Sequence, residues 1–148
     1  MNRVFFTDRD LGKQFPRLLA EAGLNVERHG DLFAPEGSDE QWLEHCGRHR
    51  RVAITHNHRI RYVPNELAAV VRFEVLLLVV VGQATNAELA LNFLRTLSRV
   101  EAALDAARPP AILKVYRPAP AELARAAHAP ANAPANAPGR VEHWYPER

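Results

Sequence analysis

The chain has 148 residues, 47% of them hydrophobic, which suits one domain with a single core. Nineteen Lys and Arg against seventeen Asp and Glu leave a formal charge of +2, so net charge alone names no partner. Cys46 is the sole cysteine, which excludes an intramolecular disulfide and makes a reducing, cytoplasmic setting the simplest expectation. Only Lys13 and Lys114 are lysines. The other cations are arginines, which fork onto phosphates, although a GC-rich coding sequence produces the same bias, and both readings stay open. No basic segment leads into an apolar run after Met1, so no secretory signal is expected. The run Val75 to Val81 is far below the ~20 apolar residues of a bilayer-spanning helix, and no membrane association is expected.

In chain order, Arg3-Val-Phe-Phe-Thr7 reads as a strand followed by Asp8 and Asp10. Leu11, Phe15, Leu18, Leu19 and Ala22 recur at helical spacing up to Gly23, a suitable C-cap, with Pro16 in the first turn or at a break. A weakly patterned strand covers Asn25 to Arg28, and Gly30, Pro35 and Gly37 mark a loop. Ser38 with Gln41 three residues on is a capping-box signal, and Trp42, Leu43 and Cys46 share the buried face of the helix it opens. The strand Val52 to Thr55 stops in a polar, cationic turn, His56-Asn-His-Arg-Ile60. A helix is expected from Pro64 to Arg72, and the β-branched run Val75 to Val81 gives a fourth strand. Its continuous apolarity argues for cover on both faces, as in a parallel sheet. One long helix should start at Thr85 or Asn86 with Leu89, Phe93, Leu97, Val100 and Leu104 as its core stripe, end at Pro109-Pro110, and lead into a fifth strand, Ala111 to Tyr116.

Beyond Pro118 the composition changes. Residues 121–127 can extend as a helix, but the Pro/Ala/Asn repeat from Ala129 to Pro138 offers no apolar face and reads as a mobile linker. The expected division is a domain over 1–118 and a flexible tail over 119–148. Trp144 and Tyr145 near its end leave three options open: docking on the domain, docking on a second subunit of a homo-oligomer, or disorder.

In parallel α/β proteins the carboxyl ends of the strands open onto the ligand crevice. Asp8, Asp10 and Asn57 lie just past such ends, and Asp39 opens a helix. Carboxylates gathered there would form a hard-cation site for Mg²⁺ or Mn²⁺. The plainer alternatives are a helix N-cap for Asp8, with Asp10 the nearer candidate for that cap, and for Asp39 a first-turn carboxylate favoured by the helix dipole. Glu66 sits in a helix that can face either way, and Cys46 is expected to be a buried structural thiol.

Phe5-Phe-Thr-Asp-Arg-Asp-Leu-Gly12, Leu18-Leu-Ala-Glu-Ala-Gly23, Ser38-Asp-Glu-Gln-Trp-Leu43, Ile54-Thr-His-Asn-His-Arg-Ile60 and the distal segment to Lys114-Val-Tyr116 carry a resemblance in their order and spacing. Together they resemble the PIN-like nucleases, and among these the small bacterial proteins of toxin-antitoxin type. The resemblance implies a three-layer α/β sandwich with a central parallel sheet of about five strands. It also implies metal-dependent hydrolysis of RNA by a toxin that a cognate antitoxin would restrain. Asp8, Asp39 and Asn57 fall on the family's catalytic and metal-binding positions for Mg²⁺ or Mn²⁺. Asn57 departs from the family, which usually has Asp there, and the helix after strand four opens with the neutral Thr85 or Asn86 where many relatives carry an acid. Arg51, His56, His58, Arg59 and Arg61 would hold the RNA backbone. The alternative is a catalytically silent PIN-like module that binds RNA or a protein.

Overall fold

The computed structural model describes residues 3–119, 121 and 139–147. Its strands are β1 (Val4–Thr7), β2 (Asn25–Arg28), β3 (Val52–Thr55), β4 (Leu76–Val81), β5 (Ala111–Tyr116) and β6 (Val141–Tyr145), in one sheet of order β2-β1-β3-β4-β5-β6. The first five are parallel, and β6 runs antiparallel to β5. The helices are α1 (Gln14–Glu21), α2 (His29–Leu32), α3 (Asp39–His49), α4 (Pro64–Arg72), α5 (Asn86–Arg95) and α6 (Leu97–Ala106). The α/β sandwich is the one the sequence leads one to expect, with a sixth strand added.

Alternation along each strand builds two cores at once. Phe5, Val52, Ile54, Leu78, Val80, Leu113 and Val115 point to the face covered by α1, α5 and α6, where they meet Phe15, Leu19, Phe93 and Val100. Phe6, Ala53, Leu77, Val79 and Ile112 point the other way, onto Trp42, Leu43 and Cys46 of α3 and Val70 of α4. Burial on both faces is what the unbroken apolar run of β4 requires. Gly47 lets α3 and α4 approach, since a Cβ there would sit 2.1 Å from the carbonyl oxygen of Phe73.

Four local features differ from the sequence reading. The segment expected as one helix over 11–22 starts as a 3₁₀ turn, Arg9–Leu11, that closes at Gly12 before α1 begins at Gln14. Gly12 has φ 65°, and a Cβ there would meet the Asn86 amide at 2.9 Å, so the reversal needs glycine. The long distal helix is two helices, because the buried Thr96 hydroxyl donates to the Asn92 carbonyl (2.7 Å) and accepts from the Gly139 N–H (3.0 Å). Ser38 takes N-cap backbone geometry without a side-chain bond, so the expected capping box does not form, and the stretch read as loop after β2 holds the short α2.

The expectation of a flexible tail over 119–148 does not describe Val141–Tyr145, which pair with β5. Tyr145 lies opposite Ile112 and His143 opposite Leu113, leaving Trp144 as the extra residue of a β-bulge. A bulge breaks the alternation of side chains, and here both Trp144 and Tyr145 pack on the α3/α4 face. They dock on their own domain. The Pro/Ala/Asn repeat lies outside the described residues.

Candidate active site

After β1 the chain crosses to β2 through α1 on one face, and it reaches β3 on the other side of β1 through α3 on the opposite face. The strand order therefore reverses between β1 and β3, and a crevice opens at their carboxyl ends. A cleft of about 630 Å³ occupies that place.

Thr7 ends β1 and delivers Asp8 to the floor of this cleft. The Asp8 N–H donates to the Ile54 carbonyl (2.9 Å), which continues the β1–β3 ladder one step and fixes the residue's position. Its carboxylate accepts from the Arg9 N–H (2.7 Å), so Asp8 is the cap of the 3₁₀ turn. The fully buried Thr55 hydroxyl, at the end of β3, lies 2.8 Å from Asp8 Oδ2 and 3.2 Å from Asp10 Oδ2. One proton thus faces two carboxylates. Asp10 also accepts from the His56 N–H at 3.2 Å. Asp8, and not the nearer candidate Asp10, is thus the cap, and both carboxylates line the cleft.

Asp39, in the first turn of α3, accepts from the Trp42 indole N–H (3.0 Å). Trp42 is fully buried and stacks on Phe6, ring centroids 5.5 Å apart and 17° from parallel, so Asp39 both reaches the cleft and satisfies a core donor. Glu66, in the first turn of α4, stands close enough to Asp39 to hydrogen-bond to it when protonated, and its Oε2 is buried without a partner.

The electrostatics follow from this crowding. Burial, then the charges of Asp10 and Asp39, push the Asp8 carboxyl up to about 7, against the opposing bonds from Thr55 and Arg9. Burial raises Asp10 as well, although His56 and Thr55 pull the other way. Glu66 is pushed to about 7 by burial and by Asp39, with Asp8 and Glu40 adding to it.

The turn after β3 is only partly a cationic rim. The His56 ring is tied to the Gly82 carbonyl (2.9 Å), while His58 and Arg59 are exposed at the cleft. Asn57 lines the cleft too, but its Oδ1 accepts from the Arg59 N–H (3.1 Å) and caps a second 3₁₀ turn, His58–Arg61. Arg51 does not join them, since it precedes β3 at the opposite end of the sheet and pairs with Glu27 (3.2 Å). Arg61 is drawn away to Glu147 (3.3 Å) and to the rings of Tyr145 and Trp144, 5.1 and 5.8 Å from its guanidinium carbon. At the position after β4, Thr85 is an N-cap that accepts from the Glu88 N–H (3.2 Å).

Sequence reasoning passed over Arg9, which lines the cleft, and gave no side to Glu66. The signal for Asp10 was an Asp-x-Asp just past a strand end. For Glu66 it was an acid two residues after Pro64, the first residue of α4.

The donors are carboxylate oxygens, the chemistry Mg²⁺ and Mn²⁺ prefer, and Asp8 with its raised proton affinity is a group a cation would relieve. Among the described residues, no three His, Cys, Asp or Glu side chains are already gathered tightly enough to hold a metal. The fit therefore rests on donor chemistry and charge, with Asp8, Asp10 and Asp39 as the residues that would hold the ion.

The family model for a PIN like domain matches residues 3–82, more than half of the chain, and the protein belongs to that family. The match takes in Asp8, Asp10, Asp39, Asn57 and Glu66 and ends before α5. No curated protein and no solved structure matches the chain. The fold is of nuclease type, and no described helix is long and apolar enough to cross a membrane.

Proposed function

We propose that the protein is a Mg²⁺- or Mn²⁺-dependent ribonuclease of PIN-like type, with Asp8, Asp10 and Asp39 as its cation-holding set. The observation that carries this reading is the convergence of the three carboxylates on one switch-point cleft with too few compensating donors, visible in Asp8 held up to about 7. The bound cation would activate water and offset charge on the scissile phosphate. Asp8 and Asp10 share the Thr55 hydroxyl and so are held in fixed orientation. Asp10 supplies the negative charge that Asn57 lacks, and Asn57 orients the turn through its cap on Arg59. Arg9, His58 and Arg59 at the rim would bind the flanking phosphates without reading sequence.

Loss of Mn²⁺-dependent cleavage of a labelled single-stranded RNA in both Asp8→Asn and Asp10→Asn supports this assignment. Full activity in Asp10→Asn removes Asp10 from the set, and cleavage unchanged in Asp8→Asn ends the nuclease reading. The finer role is that of a cytoplasmic toxin restrained by a cognate antitoxin that covers the cleft. Co-purification with the product of the neighbouring reading frame, together with lost cleavage, tests it.

A second reading is favoured by Asn57 and Thr85, both neutral and both engaged in capping turns. It is a silent module that keeps the fold and binds RNA or protein without retaining metal. Absence of Mn²⁺ binding at neutral pH would select it.

A further inference from the structure

A second hollow, of about 320 Å³, adjoins the acidic cleft and shares His56, His58 and Gly82 with it. Its other walls include Tyr62, Trp144 and Lys114, which lie beyond or outside the acid-bearing positions. Tyr62 is 67% exposed, an unusual state for an aromatic ring beside a cleft, and its ring stands edge-to-face with Trp144, centroids 5.7 Å apart at 79°. The β6 bulge is what turns Trp144 to this side of the sheet. Lys114 Nζ sits 4.0 Å above the Trp144 ring. The carboxylate facing Lys114 across the strand pair, Glu142, is engaged by Arg140 at 3.5 Å, and no described carboxylate pairs with Lys114.

We propose that this hollow is a nucleobase subsite of the RNA-binding cleft, in which a base next to the scissile phosphate stacks on Tyr62 against the Trp144 wall and Lys114 takes the adjoining phosphate. The inference rests on the ribonuclease reading and deepens it by assigning Tyr62, Trp144 and Lys114 to one base and its phosphate beside the acid cleft. An exposed π-face, an unneutralised cation and a volume within the roughly 300–1,000 Å³ of small-ligand pockets are the parts that sequence-tolerant single-strand binding uses. Continuity with the acid cleft supplies the direction of the strand: a backbone whose phosphate lies over Asp8 and Asp10 can place its next base past His56 and His58. Lys114 and Trp144 fall outside the stretch matched by the family model while Tyr62, His56 and His58 lie within it, so the hollow joins the matched part of the domain to its distal strands.

The test measures fluorescence anisotropy of a labelled oligouridylate with the full-length chain carrying Asp8→Asn, so that the probe is not consumed. Adding Tyr62→Ala should weaken binding by roughly 5- to 150-fold, the range of base–aromatic stacking. Tyr62→Phe should bind within about twofold of its parent, and an abasic ribose-phosphate of equal length should bind as weakly as oligouridylate binds the Tyr62→Ala protein. Equal affinity of the Ala and Tyr proteins, or equal affinity for the abasic and uridylate probes, overturns the subsite. Mn²⁺-dependent cleavage by the wild type stands or falls separately, so failure of the subsite is distinguishable from failure of the ribonuclease reading. Because Tyr62 is exposed, its replacement leaves the core untouched; unchanged far-ultraviolet circular dichroism of the variants confirms it.

Discussion

Glu27 lies on β2 and Asp8 just past the end of its neighbour β1, and the surroundings drive the two carboxylates in opposite directions. Burial works against the Glu27 charge, but the His45 ring (2.9 Å) and Arg51 (3.2 Å) together outweigh it and leave Glu27 below the usual carboxylate range. Asp8 is buried with Asp10 and Asp39 and is left near 7. The fold neutralises acid at the β2 edge and concentrates it uncompensated at the β1/β3 switch point. Structural ion pairs and candidate catalytic carboxylates thus differ by what stands opposite them rather than by residue type.

The comparison breaks most visibly at Asp8. Asp8→Asn should reduce Mn²⁺-dependent RNA cleavage on the order of a hundredfold or more, since a cation-holding charge supplies several kcal/mol at the transition state. The same change should raise the metal-free melting temperature at neutral pH by roughly 2–4 °C, the equivalent of about 1 kcal/mol at this size, because repulsion is relieved. A fall in both would make Asp8 a structural residue. Steady-state cleavage and a thermal melt on one preparation decide it.

Truncation after His128 removes β6 and should destabilise the domain by about 3 kcal/mol or more, since Trp144 and Tyr145 cover Ile112 and the α3/α4 face. Denaturant unfolding reads this directly. The sequence supports an intact domain only on removal of Ala129 to Pro138 and leaves the docking of Trp144 and Tyr145 open.

Asp39 stands between the two regimes, being both a cleft acid and the acceptor for the Trp42 indole. Asp39→Ala should lose about 1–3 kcal/mol by leaving a buried N–H unpaired, whereas Asp39→Asn keeps an acceptor and should lose mainly metal affinity. Equal stability of the two variants would show that the Trp42 bond contributes nothing.

The smallest effect is in the pH profile. A carboxyl raised on folding contributes stability at low pH that is lost as pH rises from about 4 to about 7, whereas one lowered on folding contributes stability above its unfolded value of 4.5 that is lost as pH falls. Asp8→Asn should therefore flatten the decline in melting temperature from pH 4 to 7, and Glu27→Gln should flatten the loss below about pH 4.5. Shifts of the same sign from both substitutions would erase the distinction between the two sites.

The parallel core was legible because continuous apolar runs such as Val52 to Ile54 and the unbroken β4 leave little choice of element. Strands β2, β3 and β5 and helix α4 fall where the residues place them. The break at Thr96 was hidden because its hydroxyl bonds to Gly139, forty-three residues away. The last strand was obscured by the repeat before it, and a bulge removed the alternation that would have announced it. In the site, strand ends named Asp8 and Asn57, but the bond from Thr55 to Asp10 and the approach of Glu66 to Asp39 depend on tertiary contacts that no local spacing encodes. Arg51 and Arg61 were charged residues near the right strand in sequence, and ion pairing took each elsewhere.

Whether the cleft carboxylates hold a cation is decided by calorimetric titration of Mn²⁺ into wild type, Asp8→Asn and Asn57→Asp at pH 7, with heats compared in two buffers of different ionisation enthalpy. Because Asp8 and Glu66 are held near 7, wild type should bind Mn²⁺ with release of a fraction of a proton. Asp8→Asn should lose most of that affinity, and Asn57→Asp should bind about tenfold more tightly because the added carboxylate can still cap Arg59. No binding by wild type or by Asn57→Asp, or identical binding by wild type and Asp8→Asn, would contradict a cation site in the cleft.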